Sequence, residues 1–147
     1  MRSLSYLLVD TARLMRRHFD ARVRNLGVTS PQARLLLILS RFEGENQGFY
    51  AERLEVEPIT LCRMVDRLEE TNLVERRKDP ADRRAWRLFL TTRSRPMIES
   101  LHACIAALEA EMLAQLEDAE AETLHTLLAR MQHTLTGKPE LEIANHG

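Results

Sequence analysis

The sequence lacks the features that mark a membrane protein, a disulfide-bonded protein or a zinc protein. No run of residues approaches the roughly 20 apolar side chains of a membrane-spanning helix. The two cysteines, Cys62 and Cys104, have no close spacing and provide neither a disulfide framework nor a zinc knuckle. No signal peptide precedes the first helical pattern. We therefore expect a cytoplasmic protein.

Residue sets that carry catalysis or hold a metal are missing as well. The sequence contains no recognisable Ser–His–Asp set, no paired carboxylates and no phosphate-binding loop. Its histidines share no metal-ligand spacing; they are His18, His102, His125, His133 and His146. We expect no enzyme activity, no cofactor and no metal site.

The composition is that of an ordinary globular chain, but the charge is unevenly distributed. The 147 residues are 44% hydrophobic and 29% charged, with a net charge of −1. Residues 1–26 carry +4 and residues 56–95 carry +3, whereas residues 96–147 carry −7. The near-zero total argues against a nucleic-acid partner, but the separation of basic from acidic regions reverses that interpretation.

The stretch 56–91 changes its apolar period from that of a helix to that of a strand. Its first part has one apolar stripe, formed by Leu61, Met64, Val65 and Leu68. Asn72 stands where this helix should end, because asparagine tolerates the left-handed conformation that closes many helices. Two strands follow, at 73–78 and 86–90, with a turn around Pro80. A helix followed by a basic hairpin predicts a winged helix-turn-helix, and hence a DNA-binding protein.

The predicted recognition helix turns a second face away from its apolar stripe. Such a helix reads base edges with its N-terminal residues, which here are Pro58, Ile59, Thr60, Cys62 and Arg63. Arg63 can make paired hydrogen bonds to guanine, and Ile59 or Thr60 can touch a thymine methyl group. Arg67, further along the helix, is expected at a phosphate. For any one arginine taken alone, a solvated surface charge is the alternative.

The run from Leu54 to Thr91 resembles the MarR family of transcriptional regulators, close to the SlyA branch. It includes LVERRKDPADRRAWRLFLT, in which the Asp-Pro-x-Asp-Arg-Arg segment at 79–84 is that family's signature. The similarity covers nearly the whole chain and weakens after about Gly137. It implies a homodimer whose two winged helices meet successive major grooves of a pseudo-palindromic operator in double-stranded DNA, which would associate the protein with the nucleoid.

The same resemblance assigns roles to wing residues. It implies that Arg83 or Arg84 enters a narrow minor groove, where negative potential attracts a guanidinium, and that Asp82 steadies it. Arg77, on the first wing strand, completes the expected DNA contacts. Two departures from the family pattern are notable, since Glu55 and Asn72 stand where relatives usually have glycine.

The rest of the chain is predicted as helices. The first covers 4–26 and stops at Gly27; the second starts at a capping box formed by Thr29 and Gln32 and ends near Phe42. A short helix at 48–54 precedes the recognition helix. Beyond the wing, we expect a long helix at 92–116 and a last one that Asp118 caps and that ends at Gly137 and Pro139.

The expected fold class is therefore mainly α, of α+β type, in a single protomer covering 1–137. Its winged-helix lobe covers about 29–92. Helices at about 4–26 and 93–136 carry apolar stripes that one small lobe cannot cover, so they are expected to form a dimerisation lobe. Residues 138–147 are expected to form a C-terminal tail.

The family resemblance also implies a small effector, an aromatic carboxylate or its thioester, bound between the two lobes. The matching positions are Arg13, Arg16, His18, Ala33, Leu37 and Ile38. Arg13 and Arg16 could hold a carboxylate and His18 a phenolic hydroxyl; alternatively the arginines face DNA or solvent and His18 packs in the core.

The sequence leaves the type of regulation open. The leading hypothesis is a ligand-responsive repressor. An effector-independent SlyA-like DNA binder or counter-silencer is one alternative, and a redox-responsive regulator that uses Cys62 is another.

Overall fold

The structure, a computed structural model, describes residues 1–137, in which six α-helices accompany one small antiparallel sheet. In chain order the elements are α1 (Leu4–Val23), α2 (Ser30–Arg41), α3 (Gln47–Leu54), α4 (Pro58–Glu70), β1 (Val74–Lys78), β2 (Trp86–Leu90), a 3₁₀ turn (Thr92–Ser94), α5 (Arg95–Met112) and α6 (Asp118–Thr136). This order confirms the predicted winged helix-turn-helix of mainly α class. The predicted tail at 138–147, and with it Pro139, lies outside the described residues.

The described chain falls into two compact units. The first covers residues 1–108 and contains the winged helix; the second begins at Glu109 and contains α6. No helix within residues 1–137 is both long and apolar enough to span a membrane. In the same range, no group of His, Cys, Asp or Glu side chains is arranged to hold a metal ion.

The start of α2 follows the prediction from its capping residues. The Thr29 side chain accepts a hydrogen bond from the Gln32 N–H at 3.2 Å, and the Gln32 side chain accepts one from the Thr29 N–H at 2.9 Å. This reciprocal pair satisfies two N–H groups that a helix terminus otherwise leaves without partners. The end of α1 differs from the prediction, because α1 stops at Val23 and a turn then leads to Gly27, which has φ +85°.

Within residues 1–137, two non-glycine residues adopt the left-handed conformation, and they flank the recognition helix α4. Glu55 has φ 55° in the turn before α4, and Asn72 has φ 61° just after it. The chain reverses around Glu55 because the Val56 N–H reaches back to the carbonyl of Ala51 at 3.0 Å. These are the two positions at which the sequence departs from the glycines of the family pattern. The backbone nevertheless has the left-handed geometry that glycine favours at both.

The core of the first unit joins α4 to the helices behind it and to the wing. Of the four residues in the predicted stripe of α4, Leu61, Val65 and Leu68 are almost completely buried, and Met64 is half-buried. They belong to one apolar cluster with residues of α2, α3 and both strands. Because the stripe is buried, the opposite face of α4 is directed to solvent.

The wing is the β1–β2 hairpin, and its register determines which side chains share a face. Val74 pairs with Leu90, Arg76 with Leu88, and Lys78 with Trp86. The loop before α3 adds a third short segment beside β2, because the Gly44 N–H donates to the Leu88 carbonyl at 2.9 Å and the Leu88 N–H donates to the Glu45 carbonyl at 3.0 Å.

Three predictions about the remaining elements were wrong in detail. Residue 73 precedes the first strand, which begins at Val74. The helix after the wing covers Arg95–Met112 rather than 92–116, since a 3₁₀ turn precedes it and a turn follows it. The cap of α6 is Glu117, paired with Glu120 in a capping box, so the predicted cap Asp118 is instead the first helical residue.

Candidate nucleic-acid interface

The solvent face of α4 carries the side chains expected to read bases. Pro58, Ile59, Thr60 and Arg63 are exposed, and Ile59 retains 60% of its accessible surface. Ile59 is therefore accessible to a molecule that approaches this face of α4. Arg67 is also exposed, but it borders a cavity of about 610 Å³ with Gly27, Val28 and Gln32, which places it toward the α1–α2 turn.

Arg76, on β1, links the wing to α4 and to α3. Its guanidinium donates to Asp66 at 2.7 Å, to Glu69 at 2.5 Å and to Gln47 at 2.8 Å. Its Nη2 also donates to the carbonyl of Cys62 at 3.0 Å. Burial lowers the pKa of Arg76, but the hydrogen bonds and charges of Asp66 and Glu69 outweigh it and raise the pKa above its ordinary value. The guanidinium is therefore a permanent cation that holds the hairpin at a defined angle to the helix.

Cys62 is less exposed than a direct base reader would be. Its side chain is half-buried, and its Sγ lies 3.4 Å from Nη2 of Arg76. The thiol is therefore turned toward the wing. The redox hypothesis for Cys62 stays a prediction.

The tip of the wing is held by two aspartates. Asp82 accepts the Arg84 N–H at 3.0 Å, and Asp79 accepts the Ala81 N–H at 2.8 Å. Asp79 also accepts from Nε of Arg87 at 3.1 Å. The backbone hydrogen bond from Ala81, followed by the contact with Arg87, holds the pKa of Asp79 below its ordinary value. Both carboxylates thus fix the turn that presents Arg83 and Arg84, whose side chains are exposed.

Arg77 projects from the opposite face of the hairpin. Its guanidinium bonds Glu75 and lies 4.0 Å from the ring centroid of Phe89. Gly44 approaches the same ring so closely that a Cβ there would stand 3.3 Å from it. Arg77 is exposed, but its guanidinium already forms an ion pair with Glu75, which distinguishes it from the arginines at the tip.

The positions expected to bind an effector are not all brought together. Arg16, Leu37 and Ile38 line a cavity of about 650 Å³, together with Arg34, Arg53, Leu54, Glu55 and Val56. Arg13 instead pairs with Asp10 at 2.9 Å on the exposed side of α1. Ala33 is completely buried in the core, and His18 is exposed on α1, so neither lines this cavity. The alternative in which His18 packs in the core is therefore wrong.

Several residues of the interface could not be identified from the sequence. Arg76 stands in a run of five charged residues, and nothing in that run indicates which one turns inward. Asp79 belongs to the wing motif, but its contact with Arg87 depends on the hairpin register. Arg34 lies in a dense apolar helix; its Nε is buried and has no hydrogen-bond partner within residues 1–137.

These features define the class of the protein. A buried helix stripe, an exposed helix face and a hairpin with an arginine tip form the winged helix of a transcription regulator. Residues 28–86, from just before α2 to the start of β2, match the MarR family. Members of that family are transcription regulators and not enzymes, in agreement with the expectation from the sequence.

Solved structures with the same fold include several MarR regulators. The chain is 25% identical to a protein described as MarR, with a TM-score of 0.81 and 92% of each chain covered. It is 29% identical to the transcriptional regulator PA3341, with a TM-score of 0.80 and coverage of 92% of this chain and 100% of that one. For apo wild-type MarR from E. coli the values are 26% and 0.79, with 89% and 97% covered.

A further likeness concerns the fold alone. The S. aureus MepR–DNA complex has 24% identity and a TM-score of 0.73, with 91% of this chain and 99% of that chain covered. The assignment to the SlyA branch stays a prediction.

Proposed function

We propose that this chain is a homodimeric, sequence-specific DNA-binding repressor that leaves its operator when a small aromatic acid or its thioester binds. The observation that carries the proposal is that the exposed face of α4 and the tip of the wing are held in one arrangement within the first unit. The exposed face of α4 suits a major groove, and the tip with Arg83 and Arg84 suits the adjacent minor groove. Arg76 holds these two surfaces together.

A relative supports the DNA half of the proposal. MepR, which shares the fold, has been solved in complex with DNA. The basic charge of residues 56–95 provides the non-specific attraction that winged helices use at phosphates. The expected readers are Pro58, Ile59, Thr60 and Arg63, with Arg67, Arg77 and the wing arginines at the backbone and minor groove. Cys62, which was expected among the readers, is half-buried and lies against Arg76 instead.

Unpartnered apolar surface supports the homodimer. On α1, Leu4, Leu7, Leu8 and Val9 are exposed, and α6 has no buried residue at all. Helices with such apolar faces gain stability when a second copy covers them. Two recognition helices about 34 Å apart would then meet successive major grooves of a pseudo-palindromic site.

The arginine-lined cavity supports the effector half. Arg16, Arg34 and Arg53 border it, and among the described residues Glu55 is the one acidic side chain in its lining. A buried Nε without a partner, as in Arg34, favours an anionic ligand that can accept its hydrogen bond. Leu37 and Ile38 offer an apolar wall for an aromatic ring.

The cavity also touches the turn that positions the recognition helix. Glu55 and Val56 line it and directly precede α4. A carboxylate held by the arginines beside Glu55 would act on a turn whose geometry is already unfavourable for a side chain. The ligand would thereby change the angle of α4 without touching DNA, to the extent that its affinity differs between the two states.

Sedimentation and fluorescence anisotropy on the same samples test this proposal. Operator DNA selected from a random pool is titrated with protein, and benzoate, salicylate or an aromatic thioester is then added. We expect release of DNA from an intact dimer. Release with dissociation into monomers would contradict the mechanism, and no release by any such compound would favour an effector-independent DNA binder.

Two variants localise the response. Arg34→Met removes a cavity arginine and should raise the ligand concentration needed for release by about tenfold, the loss expected for a charge-assisted hydrogen bond. Arg13→Met is the matched control, because Arg13 is engaged with Asp10 outside the cavity lining. If Arg13→Met impairs release and Arg34→Met does not, the ligand binds elsewhere.

A further inference from the structure

Trp86 is the only tryptophan of the chain, and it stands between the recognition helix and the wing tip. It is the first residue of β2 and pairs with Lys78, the last residue of β1. The Lys78 ammonium lies 6.0 Å from its ring centroid. The tryptophan keeps 38% of its surface accessible, which is unusual for so large an apolar side chain.

The hairpin register places Trp86 on the face that packs against α4. Directly opposed residues of an antiparallel pair share a face, and that face alternates along each strand. Val74 and Leu88 on this face are buried, and Arg76 on the same face bonds α4. Trp86 lies two residues closer to the tip than Leu88, about 7 Å at the usual strand rise. Trp86 therefore lies beyond the buried core but still on the face of the hairpin that is turned toward α4.

A cleft separates Trp86 from the recognition helix. Its volume is about 440 Å³, and Trp86 lines it with residues of α3, α4 and β1. Those residues are Gln47, Cys62, Asp66, Glu69 and Arg76. The cleft thus has the base-reading helix on one side and the wing on the other.

The geometry of double-stranded DNA determines what such a cleft meets. A major groove and its neighbouring minor groove are separated by one sugar–phosphate backbone. A protein with a helix in the first and a hairpin tip in the second must straddle that backbone. Resting on the proposed function, we propose that Trp86 contacts this backbone, its indole N–H donating to a phosphate oxygen and its ring lying against the adjoining deoxyribose.

The charges around the cleft are compatible with a phosphate. Asp66 and Glu69 would repel it if they were unpaired, but Arg76 engages both at 2.7 and 2.5 Å. Lys78 adds a second cation beside the indole ring. The two carboxylates are thus balanced by two cations. A neutral donor such as the indole N–H can then bind a phosphate without adding a charge that must itself be desolvated.

A purely structural role for Trp86 makes different predictions. A ring that only covers Arg76 would contribute to the stability of the free protein and would leave affinity for DNA unchanged. A backbone contact would contribute to affinity equally at every site, because phosphates carry no sequence information. It would also shield the ring from solvent when DNA binds.

The experiment uses the full chain, operator DNA obtained by selection, and the natural fluorescence of Trp86. Labelled DNA reports binding by anisotropy, and acrylamide quenching reports exposure of the ring. We expect quenching of Trp86 to fall along the same titration curve as the anisotropy rises. Trp86→Ala should bind about three- to tenfold more weakly, the value of one lost neutral hydrogen bond and its packing. Trp86→Phe keeps the ring and should fall between Trp86→Ala and wild type, with the selected base preference unchanged for both variants.

Lys78→Ala provides an independent arm, and it should lower the salt dependence of binding by about one phosphate contact. The inference is overturned if wild type binds operator tightly while quenching of Trp86 is unchanged. It is also overturned if Trp86→Phe and Trp86→Ala both bind like wild type, and in these cases the proposed function stands. Failure of the wild type to bind any DNA would instead overturn the proposed function, and this inference with it.

Discussion

The guanidinium of Arg76 and the carboxylate of Asp66 meet at 2.7 Å, and this contact joins the wing to the recognition helix. The Arg76 side chain is only 13% exposed and also bonds Glu69 and Gln47. One arginine therefore determines how a hairpin and a helix that approach different grooves are oriented. The shape of the proposed DNA-binding surface therefore depends on the contacts of Arg76 as well as on the residues expected to touch DNA.

Replacing Arg76 should lower the stability of the free protein. Arg76→Met leaves Asp66 and Glu69 without their cation, so we expect a loss of about 1–3 kcal/mol in the free energy of unfolding. Urea denaturation measures this change. Arg77→Met is the matched control, since the side chains of Arg77 and Glu75 are 58% and 44% exposed and such pairs contribute little. Equal stability of the two variants would show that the buried contacts of Arg76 do not hold the wing.

Arg83 and Arg84 at the wing tip should contribute to the affinity for DNA without selecting particular bases. Arg83→Ala or Arg84→Ala should weaken binding to all sequences and reduce the salt slope by about one contact each. Because both side chains are exposed, thermal unfolding of the free protein should not change. Operator titrations at several salt concentrations measure the slope, and unchanged binding by both variants would show that the tip does not enter a groove.

The two exposed arginines of α4 should act differently on specificity. Arg63→Ala should cost about 1–3 kcal/mol at one base pair per half-site and relax the preference there. Arg67→Ala should weaken binding evenly, because Arg67 lies further along the helix and borders the cavity near Gln32. Site selection from a random pool with each variant decides between these effects. An unaltered motif for Arg63→Ala would mean that another residue reads that base.

The left-handed Glu55 should be a point of backbone strain. Glu55→Gly should stabilise the protein by about 0.5–1.5 kcal/mol, because glycine accepts φ 55° without steric cost. Glu57→Gly is the control two residues later, where φ is −65° and glycine only adds flexibility. Thermal and urea unfolding compare the two. A destabilised Glu55→Gly would mean that the Glu55 side chain contributes more than the strain costs.

Tyr50 should make the stability sensitive to high pH. Burial raises its pKa to about 12, although its hydrogen bond from the Glu45 N–H acts in the opposite direction. A phenol with a raised folded-state pKa contributes stability that is fully present below its unfolded pKa. That stability is lost as the pH rises from about 10 toward 12, at roughly 1.4 kcal/mol per pH unit. Below this window Tyr50 causes no pH dependence.

Urea unfolding between pH 8 and 11 checks this assignment. Tyr50→Phe should be less stable at neutral pH by about 1–3 kcal/mol, because it leaves the Glu45 N–H and the Phe42 carbonyl without their partner. Its stability should also decline less steeply above pH 10. Tyr6→Phe, at an exposed position, is expected to keep the wild-type profile. The assignment fails if Tyr50→Phe and wild type lose stability in parallel.

Local signals in the sequence predicted most of the winged helix. The capping box at Thr29 and Gln32, the stripe of Leu61, Val65 and Leu68, and the limits of β2 depend on nearby residues, and the structure contains all of them. Asn72 was identified as a helix end for the same reason. Periodicity is a local property, so these elements could be predicted without knowledge of the tertiary fold.

The parts that could not be predicted depend on contacts between distant residues. An apolar stripe continues past Met112 in the sequence, but periodicity does not show where the last helical turn gives way to a loop. Arg76 and Asp79 acquire their roles only when the hairpin register aligns them with α4 and with Arg87. The cavity with Arg34 is formed where α1, α2 and the turn after α3 come together. Its lining therefore could not be derived from local patterns, and it does not include the expected residues Ala33, His18 and Arg13.

The loop before α3 has a consequence for how copies of the protein behave in a crowded solution. Gly44 and Glu45 occupy the outer hydrogen-bonding edge of β2 at Leu88, and Asn46 continues this as a bridge to Arg87. An uncovered strand edge is a template on which another chain can polymerise. Here that edge is closed from within the same unit. The other strand, β1, has four charged residues out of five. Pairing of a strand from a second molecule is therefore disfavoured at both edges of the hairpin.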